Sequence, residues 1–384
     1  MTGIDINKIL VISPSPAYLI DLGRLRHNLA ILDDVQKRSG AKILLAMKAF
    51  SMWSVFPLIN QTLHGVCASS PWEARLGREE FKKEVHSFAA AFKESDIVEL
   101  LGISNHLVFN SFNQLERFRP LWEKAAGLVS IGLRVNPEHS EGHTDIYDPC
   151  APNSRLGIIR SEFEGRTLAG VDGLHFHTLC EQLFEPLERT AKAFEENFGE
   201  FLPQMKWLNL GGGHHITSEG YDVDALVELV KYFRNKYDLE IYLEPGEAIA
   251  IGTGILISEV LDVVNNGMDI AILDVSATCH MPDILEMPYR PAITNGFDAN
   301  EKKYTYRLAG PSCLAGDIIG DWSFEQKLRP GDRLVFEDMA HYTMVKTTTF
   351  NGIQHPHICT FEPETGELKV VRSFGYNDFK QRLS

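Results

Sequence analysis

Three observations predict an α/β fold in which a barrel is bracketed by a β domain. Between residues 42 and 245, eight short apolar segments alternate with helix-like ones over short connections. That is the pattern of parallel strands joined by helical crossovers, and eight repeats predict a (β/α)8, TIM-like barrel. Beyond about residue 250 the helical periodicity stops while strand-like segments continue. A lone strand-like segment, 17–21, precedes the barrel with no helix expected before it, so we join it to the later strands. The expected division is a barrel over 25–250 and a β-sandwich or β-barrel domain over 1–24 and 251–384.

The barrel strands are expected at 42–49, 64–69, 86–91, 106–110, 129–135, 172–178, 206–211 and 240–245. Helices are expected at 113–125, 186–198 and 222–237, among others. In the last of these Val223, Leu226, Val227, Leu229, Val230 and Phe233 form one apolar face at helical spacing. The stretch 136–171 reads as an elaborated loop after the fifth strand. In the β domain, strands are expected at 254–264, 269–276, 304–309, 332–338 and 367–373.

Composition narrows the function. With 37 Lys+Arg against 52 Asp+Glu, the net charge of −15 disfavours a nucleic-acid partner and favours cationic ligands through the long-range field. No apolar run of about 18 residues exists, so no membrane span is expected. The start, Met1-Thr2-Gly3-Ile4-Asp5, lacks the basic and apolar regions of a signal peptide. Six scattered cysteines without a CxxC pair fit a reducing cytoplasm.

The chemistry is expected at the strands' C-terminal ends, where barrel enzymes place their working groups. Lys48 closes the apolar run Ile43-Leu44-Leu45-Ala46-Met47. A lysine at a dry strand end makes a good amine nucleophile, because desolvation lowers its pKa. His177, Gly211-Gly212-Gly213 and Glu244 end strands six, seven and eight, and so converge on the same mouth. Consecutive glycines let backbone N–H groups approach an anion closely.

Five ordered motifs then carry a resemblance across nearly the whole chain: Met47-Lys48-Ala49, His175-Phe176-His177, Gly211-Gly212-Gly213, Glu244-Pro245-Gly246 and Gly310-Pro311-Ser312-Cys313, with Tyr342 as a sixth match. They resemble the fold-type III pyridoxal-phosphate decarboxylases, the alanine-racemase-like group of ornithine and diaminopimelate decarboxylases. The resemblance implies pyridoxal 5'-phosphate, bound to Lys48 as a Schiff base, with His177 stacked on its ring. It implies that the glycine loop and Tyr342 hold the phosphate, that Glu244 pairs with the pyridine nitrogen, and that Arg155 lies near the cofactor. It implies a homodimer with shared active sites, in which Cys313 comes from the second subunit and governs protonation of the carbanion.

The chain departs from that pattern where most relatives have arginine after Glu-Pro-Gly to contact the phosphate: here stands Glu247. We expect Glu247, with Asp274, Asp283 and Asp317, to form an acidic lining for a cationic substrate. A distal carboxylate would call for a bidentate arginine, and none stands in the matching motifs. The segments 175–182 and 274–283 look most like carboxynorspermidine/carboxyspermidine decarboxylases, whose small cationic carboxy-triamines yield norspermidine or spermidine on loss of CO2. Three alternatives stay open: a decarboxylase of a simpler basic or diamino acid, a non-catalytic cofactor-binding regulator, and a metal-dependent barrel hydrolase using His175, His177, His214, His215, His355 and His357.

Overall fold

The computed structural model describes residues 6–142 and 144–384. They form two compact units, residues 27–249 and residues 250–384 with the described part of 1–26. Strand β1 (Ala17–Asp21) belongs to the second unit. The first unit is a closed parallel barrel of β2 (Lys42–Ala46), β3 (Gly65–Ala68), β4 (Glu84–Phe88), β5 (His106–Phe109), β6 (Ser130–Arg134), β7 (Gly173–His175), β8 (Trp207–Asn209) and β9 (Glu240–Leu243). All eight expected strands are there, and β4 starts two residues early.

The strands are short and mostly buried on both faces, which is why they read as apolar runs rather than alternations. Trp207 fills much of the interior, and two neighbours make room for it. A Cβ at Gly173 would sit 2.0 Å from the Trp207 ring, and one at Gly132 would sit 2.3 Å away. Outside, the helix Val223–Tyr237 buries Leu226, Val227, Val230 and Phe233, and Asp222 caps it by accepting from the Ala225 N–H at 2.8 Å. The expected helix over 113–125 is interrupted: Phe112–Arg117 ends, and Arg119–Trp122 starts anew with Pro120, which has no N–H to continue the earlier ladder. Among its described residues, the segment 136–171 contains two short 3-10 turns as its helical elements.

The N-terminal mouth of this barrel is polar. Lys42, Glu84, His106 and Glu240 are each the first residue of a strand. Lys42 Nζ lies 3.3 Å from Glu84 and 3.1 Å from Glu240. The Tyr242 hydroxyl donates to Glu240 at 3.0 Å, and His86 Nε2 lies 3.2 Å from Glu84. The rings of His86 and His106 stack at 3.8 Å.

The second unit is a mixed eight-stranded sheet. It adds β10 (Gly254–Asn265), β11 (Asp269–Leu273), β12 (Tyr304–Ala309), β13 (Ile318–Phe324), β14 (Arg333–Glu337), β15 (His357–Glu362) and β16 (Glu367–Arg372). Its order is β13-β12-β11-β10-β1-β15-β16, with β14 also paired to β10. The twelve-residue β10 joins the two halves: its first part pairs with β1 and β14, and beyond an irregularity at Val260/Asp262 it pairs with β11. The N-terminal strand is thus central, between β10 and β15. Two corrections apply: a helix, Ile6–Ile12, does precede β1, and β13 and β15 were not anticipated. Among the described residues no helix is long and apolar enough to cross a membrane.

Candidate active site

At the C-terminal mouth the strands stop slightly short of the working residues. β2 ends at Ala46, β7 at His175, β8 at Asn209 and β9 at Leu243, so Lys48, His177, Gly211 and Glu244 sit one or two positions further on. Lys48, His86, Arg134, His175, His177 and Glu244 line one cavity there. The next loop, after β3, is fixed by a reciprocal cap: Ser70 Oγ accepts from the Glu73 N–H at 3.2 Å, and Glu73 accepts from the Ser69 N–H at 2.6 Å.

Lys48 opens onto the cavity while protein surrounds its stem. Burial lowers the pKa of its amine, and the charge of Arg134 lowers it further. Its Nζ lies 3.2 Å from His177 Nε2. Burial, then Lys48 and Arg134, push His177 well below its ordinary value, so the ring is neutral. His177 Nδ1 lies 3.1 Å from both the nitrogen and the carbonyl oxygen of Gly212, so either tautomer finds a backbone partner. Arg134 is 4% exposed, donates to the His177 carbonyl at 2.8 Å, and lies over the Phe88 ring at 4.6 Å. Burial brings it to about 10, which still leaves it charged at neutral pH.

Glu244 is the opposite case. Burial alone would raise its pKa, but His175 beside it, His86 and the Asn209 amide together hold it below the ordinary carboxylate range. His175 Nε2 lies 3.4 Å from one oxygen and Asn209 donates to the other at 2.6 Å. Asn209 Oδ1 also accepts from the Gly211 N–H at 2.9 Å, tying the carboxylate to the glycine loop. The loop needs its glycines twice over. Gly211 and Gly213 have φ of 70° and 84°, and a Cβ at Gly212 would meet the Glu244 carbonyl at 2.1 Å.

Other expected site residues have different surroundings. Arg155 is an exposed residue of the loop after β6, and its carbonyl accepts from Asn110 at 2.7 Å. Glu247 does not line the cavity: its carboxylate lies 3.2 Å from His215 Nε2. In the second unit, Asp274 accepts from Ser15, Ser258 and the Glu259 N–H at 2.7–2.9 Å. Asp317 is 2% exposed and accepts from Ser276, Thr278 and Ser312 at 2.8–3.2 Å, so it pins the 276–278 segment to the Gly310–Cys313 loop. These two carboxylates accept several hydrogen bonds that hold loops in place. Asp283 pairs with Lys346, which also reaches Glu286 at 2.7 Å. Cys313 is exposed, with its N–H bound to Asn351 at 2.8 Å. Tyr342 has φ of 45°, a left-handed conformation uncommon for a bulky side chain and found where the surroundings over-determine it.

Arg134 and Asn209 went unnoticed in the sequence, and their signal was there: a charged or amide side chain inside a short buried strand. The histidines of the metal reading within this unit each have their own partner: Glu244 for His175, Lys48 for His177, Tyr221 for His214 and Glu247 for His215. Among the described residues the one group of three metal-type ligands is Glu84, His86 and His106, of which only His86 also lines the cavity.

Comparison with known proteins gives consistent matches. The family model described as pyridoxal-dependent decarboxylase, C-terminal sheet domain, matches residues 17–340. The carboxynorspermidine/carboxyspermidine decarboxylase of Campylobacter jejuni is 43% identical over 96% of this chain and 98% of its own. The carboxyaminopropylagmatine decarboxylase of a Synechocystis strain is 45% identical over 96% of this chain and 95% of its own. A crystal structure of carboxynorspermidine decarboxylase from Campylobacter jejuni, complexed with norspermidine, superposes with a TM-score of 0.89 at 42% identity, covering 96% of this chain and 100% of that one.

Proposed function

Because the chain belongs to the pyridoxal-dependent decarboxylases, we propose that it removes the α-carboxylate of carboxynorspermidine or carboxyspermidine as CO2, leaving norspermidine or spermidine. The reaction class rests on one observation above the rest: an amine of lowered pKa, Lys48, and a buried ionised carboxylate, Glu244, face one cavity. The substrate rests on the relatives.

The residues fit pyridoxal phosphate. Lys48 would hold it through Nζ, Glu244 would keep a proton on its ring nitrogen, His177 would flank the ring, the glycine loop with Tyr342 would hold the phosphate, and Arg155 would lie near the cofactor. When bound, the cofactor supplies an electron sink for the pair left behind as CO2 departs. Burial lowers the pKa of the Lys48 amine, which favours its nucleophilic form. Arg134 holds the His177 backbone through its carbonyl, and Asn209 fixes Glu244 relative to the glycine loop. One proton must replace CO2 at the α-carbon, and we assign its control to Cys313 acting in the partner site of a homodimer.

We assign the amine tail to Asp283. Lys346 already rests between Asp283 and Glu286, an arrangement that suits an ammonium group. Free cysteines support a reducing, cytoplasmic setting. A second reading follows from the Synechocystis relative: the tail would then end in a guanidinium, as in carboxyaminopropylagmatine. Product analysis with all three carboxylated polyamines, plus ornithine, lysine and diaminopimelate, decides. We expect turnover of a carboxy-triamine with CO2 release; preferred turnover of the agmatine compound selects the second reading, and turnover of only the simple amino acids overturns both.

A further inference from the structure

We propose that Asn351 is a positioning residue: by holding the backbone of Cys313 it decides where the proton goes after CO2 has left. The inference rests on reading Cys313 as the group that governs this proton in the partner site. The anchor is direct. The Cys313 N–H donates to Asn351 Oδ1 at 2.8 Å, while the cysteine itself is exposed. The preceding amide, Ser312 N–H, donates to Asp317 Oδ2 at 3.2 Å. Two consecutive N–H groups are thus held by two side chains, and the loop fixes the direction of a thiol that packing leaves open.

Asn351 can serve as an anchor because of its own backbone and its ties. Its φ of 56° and ψ of 13° are left-handed, a conformation that asparagine tolerates better than most side chains. Just before it, Thr348 N–H donates to the Cys279 carbonyl at 2.9 Å, and Thr278 N–H donates to Asp317 at 3.2 Å. The contacts therefore close a ring: Cys313 to Asn351, the 348–351 turn to 278–279, that segment to Asp317, and Asp317 back to Ser312. Of these four links, the Asn351 amide ends on the residue that bears the thiol. Leu314 and Phe350, chain neighbours of the pair, are 44% and 45% exposed, apolar surface of the kind that a second subunit covers.

The consequence is chemical. When CO2 leaves, its bonding electron pair stays behind and takes up one proton. On the α-carbon that proton gives the amine and returns pyridoxal phosphate. On the cofactor's own carbon it gives, after one water is added, an aldehyde and pyridoxamine phosphate. A thiol whose loop has come loose no longer favours the first carbon over the second.

Asn351→Gly keeps the left-handed backbone and removes the acceptor, whereas Asn351→Asp keeps both. In cofactor-free protein, hydrogen exchange at the Cys313 amide should be about tenfold faster in Asn351→Gly, the worth of one neutral hydrogen bond, and near wild type in Asn351→Asp. In holoenzyme given the carboxylated polyamine it turns over, the share of turnovers ending in aldehyde and pyridoxamine phosphate should rise about tenfold in Asn351→Gly and fall back in Asn351→Asp. Unchanged exchange in Asn351→Gly, or faster exchange with unchanged product shares, would overturn the inference alone. Cys313→Ala sets the reference: if it too leaves the product shares unchanged, the reading of Cys313 falls, and the inference with it.

Discussion

At the N-terminal mouth of the barrel Lys42 stands between two carboxylates, Glu84 and Glu240, at 3.3 and 3.1 Å. At the C-terminal mouth Lys48 has an imidazole at 3.2 Å and the charge of Arg134 in its field. Burial works against the charge of both amines. For Lys42, Glu240 and Glu84 outweigh it and raise the pKa; for Lys48, burial and Arg134 act together and lower it. Two lysines six residues apart in sequence, on either side of one strand, thus differ in kind. A carboxylate in contact supports an amine's charge, and without one burial works against it.

The largest expected effect separates the two. Lys48→Ala should lower turnover by more than about three orders of magnitude, since no other amine stands in that cavity. Steady-state CO2 release with added cofactor checks it. Glu244→Gln should keep the cofactor and lower kcat by about two orders of magnitude or more, because a neutral amide cannot hold the ring nitrogen protonated. Wild-type kcat in that variant would remove Glu244 from the role. Lys42→Met should do the reverse of Lys48→Ala: kcat within about threefold of wild type, and stability lower by about 1–3 kcal/mol, because two carboxylates and the Tyr242 hydroxyl lose their shared cation. Denaturant unfolding measures it.

The polar mouth also predicts acid lability. Burial, and then the charge of His86, hold His106 at about 2, so the folded imidazole stays neutral where the unfolded chain takes up a proton. The stability from this is complete above about pH 6.5 and falls as pH drops below it, by about 2 kcal/mol at pH 5. Glu84 adds a loss at lower pH: burial opposes its charge, but His86 and Lys42 outweigh burial and hold it at about 2, so its contribution fades from about pH 4.5 downward. His106→Leu should flatten the stability profile between pH 6.5 and 5; an unchanged slope would place the acid-sensitive group elsewhere.

Much of the barrel was legible because strands buried on both faces are short apolar runs, and the helices between them carry a 3.6-residue stripe. β13 was not legible: Gly320-Asp321 breaks its alternation, and its pairing with β12 supplies what its own sequence lacks. β15 was hidden by His357, Cys359 and Thr360, residues that read as loop until β1 and β16 flank them. In the site, residues at strand ends were readable from motif and position. Arg134, Asn209 and the histidine column of β4 and β5 were not, because only closure of the barrel turns them toward the same interior. The acids Asp274 and Asp317 show the limit of charge counting. The serine hydroxyls and backbone N–H groups they meet lie 15 to 259 residues away for Asp274 and 5 to 41 for Asp317.

The contrast between the two lysines can be measured in one experiment. Holoenzyme is reduced with borohydride, digested, and mapped for the pyridoxyl group. A single labelled peptide containing Lys48, at about one group per chain, with Lys42 unmodified, is the expected result. A label on Lys42, or on any lysine other than Lys48, would contradict the assignment of the nucleophile and the physical reason given for it.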